Sequence, residues 1–480
     1  MPNKISQGPV GAARASVAGR ASRRRFLATA GSGLAASAVV SGFPAIVPSS
    51  VLGAASPSNR INVGAIGTGR ISRGHDLPGI MKHDIARVVA ACDLDANRVA
   101  DAKVLIEKAY SEKHGKPYTG VKTYTDYREL LANPDIDAVV ISTPDHWHAE
   151  LALAAIESGK DVYLQKPFTM THAEGVILRD AVRKHGRILQ VGSQQRSWEQ
   201  FRRAAELIRS GRIGNVQRVE IGLPTDPTAP DAPPMGVPAN LDYSQWLGPT
   251  PVKYYTEMRV HPQADYSRPG WLRHEAHCLG MITGWGSHHY DTMHWALEFE
   301  HTGPGKVEGK GEFPPEDRIW NVHGAYDVTL HYPKNVVVNV SDKYNTGLKF
   351  FGDEGWIWVT REGTGATSSD PQAKGANLPP LDASDPKILD PKGVSRPLPV
   401  SKSHHKNWLQ SVQSRKQPLA PADIAHRSNT ACIVSWIAMK LGRPLEWDPK
   451  TEKFKNDDQA NAMLTRAERA PYGAMRLAKA

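Results

Sequence analysis

A short apolar strand running straight into a glycine turn constrains this chain more than any other feature. Ile61-Asn62-Val63-Gly64-Ala65-Ile66 is followed at once by Gly67-Thr68-Gly69-Arg70-Ile71-Ser72, after which the pattern continues as a helix. In that order the glycines acquire a physical meaning. Gly67 makes the tight turn, Gly69 lets the backbone approach a pyrophosphate, and the N–H groups opening the helix hold the phosphate charge. Ser72 stands where a third Gly or Ala is usual, a small residue in either case. A second strand, 86–92, ends at Asp93, placed to accept hydrogen bonds from both hydroxyls of an adenosine ribose. An acid there repels a 2′-phosphate, so NAD is expected, with NADP left open. Gly67, Thr68, Gly69, Arg70, Ile71 and Asp93 are the expected dinucleotide contacts of this first stretch.

The alternation continues with helices at 99–114, 123–131, 149–158 and 171–185 and strands at 138–142, 161–164 and 188–191. Strands that alternate with helices and lack strict polar alternation imply a parallel sheet covered on both faces. Ligands of such sheets bind beyond the carboxyl ends of the strands. That rule brings Thr143, Pro144, His146, His148, Gln165, Lys166 and Gln194 to the cofactor crevice. Beyond residue 192 the pattern changes. A helix at 198–210, a strand at 216–222, a proline-rich loop at 223–238 able to cover the site, and alternating strands at 326–332, 336–340, 348–351 and 356–359 predict a second, α+β domain. Its sheet is expected to be large, mostly antiparallel and open on one face. The expected organisation is a leader over 1–55, a Rossmann domain over 59–192, the α+β domain over 193–402 with an irregular excursion at 362–402, and a C-terminal helical segment over 403–480.

Charge and cysteine content exclude several functions. The chain has 59 Lys and Arg against 49 Asp and Glu, but six of those cations lie in the first 55 residues, which hold no acid, leaving only +4 for the rest. No basic run of the kind that marks a nucleic-acid groove follows. Cys92, Cys278 and Cys432 are too few and too scattered for a disulfide framework or a metal-binding cysteine pair. The leader itself reads Ser22-Arg23-Arg24-Arg25-Phe26-Leu27-Ala28, then a weakly apolar stretch and small residues at Gly53, Ala54 and Ala55. A twin arginine before Phe-Leu is the arrangement of an export signal that delivers folded, cofactor-loaded proteins. Its apolar stretch is too short and too polar to span a membrane, and no later segment is long enough either. The expectation is a periplasmic or otherwise exported protein that meets the twin-arginine export machinery, with no nucleic-acid partner and no stable membrane insertion.

At Thr143-Pro144-Asp145-His146-Trp147-His148 and Gln165-Lys166-Pro167 the sequence resembles the glucose-fructose oxidoreductase, inositol dehydrogenase and rhizopine catabolism family (Gfo/Idh/MocA). The resemblance extends over Arg268-Pro269-Gly270-Trp271-Leu272, the stretch Gly280 to His289, and the tail from His405-Lys406-Asn407-Trp408 to Trp447-Asp448-Pro449. It is most similar to the branch with twin-arginine leaders. The resemblance implies that Lys166 sits between nicotinamide ribose and substrate hydroxyl, with Gln165 in place of the family's Glu. The family's Asp-x-x-x-His motif falls on Gly284 and His288, so the His is kept and the Asp is absent, with His289 and Asp291 the nearby groups that could compensate. Family members commonly form homodimers or homotetramers through the open sheet.

Oxidising a secondary alcohol needs a base for the hydroxyl proton while hydride leaves the same carbon. Histidine suits the first task near neutrality, and a lysine beside an oxidised nicotinamide can stabilise the developing alkoxide. His288 and Lys166 are therefore the expected catalytic pair, and Lys166, Arg268, Trp271, His288, His289 and Asp291 the expected substrate contacts, with Arg273 beside them. His288, His289, Asp291 and His294 suggest zinc, but on a helix only His288 and Asp291 share a face, so no metal is expected. The function expected is an exported NAD(P)-dependent oxidoreductase of a sugar, polyol or sugar derivative, with its cofactor held tightly. Redox-assisted glycoside cleavage and non-catalytic sugar binding with a structural dinucleotide stay open.

Overall fold

The structure, a computed structural model, describes residues 60–226, 230–361, 374–375 and 377–479. The arginine-rich leader and part of the 362–402 excursion lie outside the described residues. The first layer is a six-stranded sheet in the order β3-β2-β1-β4-β5-β6, with every pair parallel. Its strands are β1 (Ile61–Ile66), β2 (Ala86–Cys92), β3 (Lys122–Tyr124), β4 (Ala138–Ile141), β5 (Asp161–Leu164) and β6 (Leu189–Val191). β4 and β5 are buried throughout, which is why they carry no polar alternation. The strand order reverses between β1 and β4, so the loops after β1 and β4 part there and leave a crevice.

Helix boundaries follow local chemistry. The Asp95 carboxylate accepts from the N–H groups of Asn97 and Arg98 to start the helix Ala96–His114, and Gly115 ends it with φ +63°. Thr171 and Glu174 form a reciprocal capping box on the helix His172–His185. One expectation is corrected. Thr123 and Tyr124 belong to strand β3, not to a helix, and the short helix Tyr127–Ala132 begins only after Asp126 caps it. A β-branched and an aromatic residue beside β2 favour the extended state, and three residues are too few for a period to show.

The second sheet has nine strands, in the order β13-β12-β11-β7-β10-β9-β8-β14-β15. These are β7 (Val216–Gly222), β8 (Lys306–Gly311), β9 (Tyr326–His331), β10 (Val337–Ser341), β11 (Gly347–Gly352), β12 (Gly355–Val359), β13 (Leu381–Ala383), β14 (Leu445–Asp448) and β15 (Lys453–Phe454). β7 and β10 pair in parallel and the other neighbours are antiparallel. β8 escapes sequence reading because it is glycine-rich for a packing reason: a Cβ on Gly309 would lie 2.8 Å from the backbone nitrogen of Met439. The helix Ala422–Leu441 presses onto the sheet there, and with Glu199–Arg209 and Gly286–Leu297 it buries one face in a core that includes Phe201, Tyr290, Met293 and Ile437. The helix His404–Ser414 packs instead on the first sheet, where Trp408, Leu409 and Val412 share a core with Ile61, Val63 and Tyr163. Among the described residues no helix is long and apolar enough to cross a membrane.

Candidate active site

Two adjoining cavities open beyond the carboxyl ends of the first sheet's strands. The first is lined by Gly67, Gly69, Arg70, Ile71, Asp93 and Thr143, and further along by Pro144, Asp145, Lys166 and Trp271. Gly67 has φ +83°, and a Cβ on it would lie 2.8 Å from the carbonyl of Ser142, so only glycine keeps this turn. Gly69 is open, with an Arg98 guanidinium nitrogen 4.0 Å from where its Cβ would stand. Thr68 points away from the cavity. Its N–H and hydroxyl both donate to Asp93 Oδ2, at 2.7 and 3.0 Å, so it shapes the loop and does not line it. Asp95 N–H donates to the other oxygen of Asp93 at 3.0 Å. These bonds hold the Asp93 carboxylate at the rim while leaving lone pairs for further donors. The Thr143 hydroxyl in the same wall is buried without a hydrogen-bond partner. A side-chain-free turn, a fixed carboxylate and an unsatisfied hydroxyl are what a dinucleotide's phosphates and ribose hydroxyls would meet, and the residues fit NAD. Gly67→Ala is expected to weaken NAD binding at least about tenfold, measured by fluorescence titration, because the backbone must move to admit the methyl group.

The second cavity shares Arg70, Ile71, Gln165, Lys166 and Gly284 with the first and adds His75, Gln194, Asp226, Arg268 and His288. Lys166, on the loop after β5, therefore stands at the junction. Its Nζ donates to the carbonyl of Gly284 at 3.0 Å. The absence of an acid at 284 is thus met by the backbone of the same residue. Gln165 lines both cavities. Its amide donates to both oxygens of buried Asp76, at 2.9 and 3.0 Å, and a Glu there would set two buried carboxylates side by side. His288 is buried, its Nδ1 has no partner, and burial together with the charges of Arg361 and Lys166 holds the ring well below the ordinary imidazole range, hence neutral. Arg268 donates to Asp226 at 2.7 Å, and Asp226 comes from the 223–238 loop, which in this way does reach the cavity.

Other expected contacts lie elsewhere. Gln194 lines the second cavity, not the first, and donates to the Tyr163 hydroxyl at 3.4 Å. Trp271 lines the first cavity, not the second. His146 is buried with Nε2 3.0 Å from the carbonyl of Trp246, and His148 sits between the carbonyls of Pro167 and Thr143 at 2.7 and 3.1 Å. Neither lines either of these two cavities. His148 instead ties the loop after β4 to the loop after β5. His289 is packed against the ring of Trp285, away from both cavities. Asp291 forms a two-pronged buried pair with Arg196, at 2.7 and 2.9 Å, and His294 bonds the Tyr332 hydroxyl at 2.7 Å, so the grouping that suggested zinc is dispersed.

Sequence reasoning singled out neither Asp145 nor His75, which line these cavities, nor the buried Asp76 beside His75. Asp145, within the quoted motif, lines the first cavity, and burial pushes its carboxyl up to about 7 against the opposing charge of Lys166. His75 and Asp76 follow the glycine turn, and Asp76 is joined by His405, 329 residues further on. No local signal announces that meeting.

Residues 61–193 match the NAD-binding Rossmann fold of an oxidoreductase family, and residues 228–353 and 380–474 match the C-terminal alpha/beta domain of the same family. An uncharacterized oxidoreductase of Bacillus subtilis is 30% identical over 204 residues, which is 42% of this chain and 52% of that protein. Inositol 2-dehydrogenase of Salmonella typhimurium is 30% identical over 156 residues, 32% of this chain and 41% of that protein. The chain thus spans about half the length of the curated relatives it matches. Among solved structures, aldose-aldose oxidoreductase from Caulobacter crescentus, complexed with glycerol, superimposes with a TM-score of 0.56 at 18% identity, over 81% of this chain and 99% of that one. The WlbA dehydrogenase from Bordetella pertussis, in complex with NADH and UDP-GlcNAcA, gives 0.55 at 16% identity, again over 81% and 99%.

Proposed function

The chain belongs to the Gfo/Idh/MocA oxidoreductase family, and from that premise we propose that it oxidises a secondary alcohol of a sugar, polyol or sugar derivative, or reduces the matching ketone, with tightly held NAD. The observation that carries this is the position of Lys166, shared by the two cavities and anchored on Gly284. When bound, NAD supplies the hydride acceptor. Gly67, Gly69 and Asp93 would hold its phosphates and adenosine ribose, and Thr143 and Lys166 lie further along the same cavity. The Lys166 ammonium faces the substrate hydroxyl and stabilises negative charge as it develops on oxygen. His288, neutral, orients the same hydroxyl, and a nitrogen base of the second cavity takes its proton. Kinship with inositol 2-dehydrogenase supports a polyhydroxy substrate, as does the cavity's mix of tryptophan faces and Arg268. The leader supports export and the open face of the nine-stranded sheet supports self-association, as a homodimer or homotetramer.

The test is to denature the purified protein and identify any released nucleotide, then add sugars and polyols to intact protein and follow reduced-nicotinamide absorbance. Released NAD with sugar-dependent reduction is the expected result. Failure to bind NAD, or bound NAD that no polyhydroxy compound reduces, overturns the proposal. Cleavage of a glycoside without net reduction would favour redox-assisted hydrolysis instead.

A further inference from the structure

Directly after the glycine turn, Ser72–Asp76 forms a π-helical turn, a widened geometry that recurs at functional sites. It presents two adjacent residues in opposite ways. Asp76 is fully buried, while the His75 side chain is 43% exposed and lines the second cavity with Lys166 and His288. Asp76 accepts from Ser142 Oγ at 2.7 Å, from the Gln165 amide, from His75 Nδ1 at 2.9 Å and from His405 Nε2 at 3.0 Å. Burial alone would push this carboxyl up, but the hydrogen bonds and charges of His405 and His75 hold it well below the usual carboxylate range. A carboxylate has no proton to give, so both imidazoles donate to it. His75 therefore carries its proton on Nδ1 and keeps a lone pair on Nε2, the ring edge turned from Asp76.

A base that removes a proton becomes a cation, and the cavity's two histidines differ in what that costs. At His288 the imidazolium would be buried, faced by Arg361 and Lys166, with glycine where a carboxylate would help. At His75 it would sit 2.9 Å from Asp76 and partly in water. Resting on the alcohol oxidation proposed above, we propose that His75, oriented by Asp76, is the group that takes the substrate's hydroxyl proton. The O–H bond breaks toward His75 Nε2, its electron pair forms the C=O bond, and the C–H pair would leave as the hydride that oxidised NAD, when bound, accepts. Reduction runs the same path backward. The charged or titratable groups facing His75 are Asp76 on its own turn and His404 and His405 from the helix His404–Ser414. Across the cavity stand Lys166, His288, Asp226, Arg70, Arg268 and Arg361.

The full chain with NAD and a panel of D-glucose, D-glucuronate and myo-inositol provides the kinetic test, and the chain without substrate provides a second. His75→Gln is expected to lower kcat about a hundredfold with the KM for NAD unchanged, and added imidazole to restore about tenfold of that loss in His75→Gly. In wild-type protein, nitrogen-15 spectra of the histidine rings are expected to show His75 protonated on Nδ1, and Asp76→Asn to give a tautomer mixture. A His75→Gln enzyme within about threefold of wild type overturns the assignment, since general-base removal costs far more. So does a loss that imidazole leaves unrestored, a His75 proton on Nε2, or stoichiometric zinc held by His75, Asp76 and His405. A wild-type protein that reduces no NAD with any of the three compounds overturns the oxidoreductase proposal itself, a failure seen before any variant is made.

Discussion

Lys166→Ala is expected to lower kcat about a thousandfold while the protein still binds NAD with wild-type affinity. The two halves of that result come from different strands. Gly67 and Gly69 follow β1 and Asp93 follows β2, so the proposed phosphate and adenosine contacts do not depend on a side chain after β5. Lys166 instead reaches from β5 to the Gly284 carbonyl, across the junction of the cavities, and with Arg70 it brings positive charge to both. Lys166→Arg is expected to be nearly as damaging, because a planar guanidinium cannot place one compact charge at the same point. Steady-state kinetics and NAD titration by fluorescence separate the outcomes. A variant that turns over normally, or one whose entire defect is weaker NAD binding, would remove Lys166 from the chemistry.

The parallel sheet was legible because its signal is local. β1 runs into its glycine turn, β2 into Asp93, and β4 and the part of β5 after Asp161 are apolar runs followed by Thr143 and Lys166. The second sheet was legible where one face is buried and the other wet, as in β9, and not where packing erased the pattern, as in glycine-rich β8. The same logic sorts the site. His288 was found through a motif. His289 and Asp291 were misplaced because Gly286–Leu297 is buried on nearly every side, so its sequence gives no amphipathic period to show which face meets the cavity. Gln165 looked like the loss of an acid, whereas its amide is the donor that a buried Asp76 requires. Asp76 itself has little local signature, since apart from adjacent His75 its partners lie at positions 142, 165 and 405 and only the folded chain brings them together.

Arg196→Ala is expected to destabilise the protein by about 3–5 kcal/mol, read as a lowered urea midpoint at unchanged slope. Arg196 is almost wholly buried, grips Asp291 through two nitrogens, and reaches Glu300 at 2.8 Å. Its removal leaves the buried Asp291 carboxylate without its cation, close to the like charge of Glu300, in the same helix that carries His288. The cost is that of the uncompensated charge more than of the lost attraction, so Arg196→Met combined with Asp291→Leu is expected to recover most of the stability. This pair also settles what Asp291 does. If it only locks the helix, Asp291→Leu in the double variant leaves the KM for substrate unchanged in molecules that fold. A double variant that folds normally but loses substrate affinity would return Asp291 to the binding site, and the His288 helix would then have to turn a different face to the cavity.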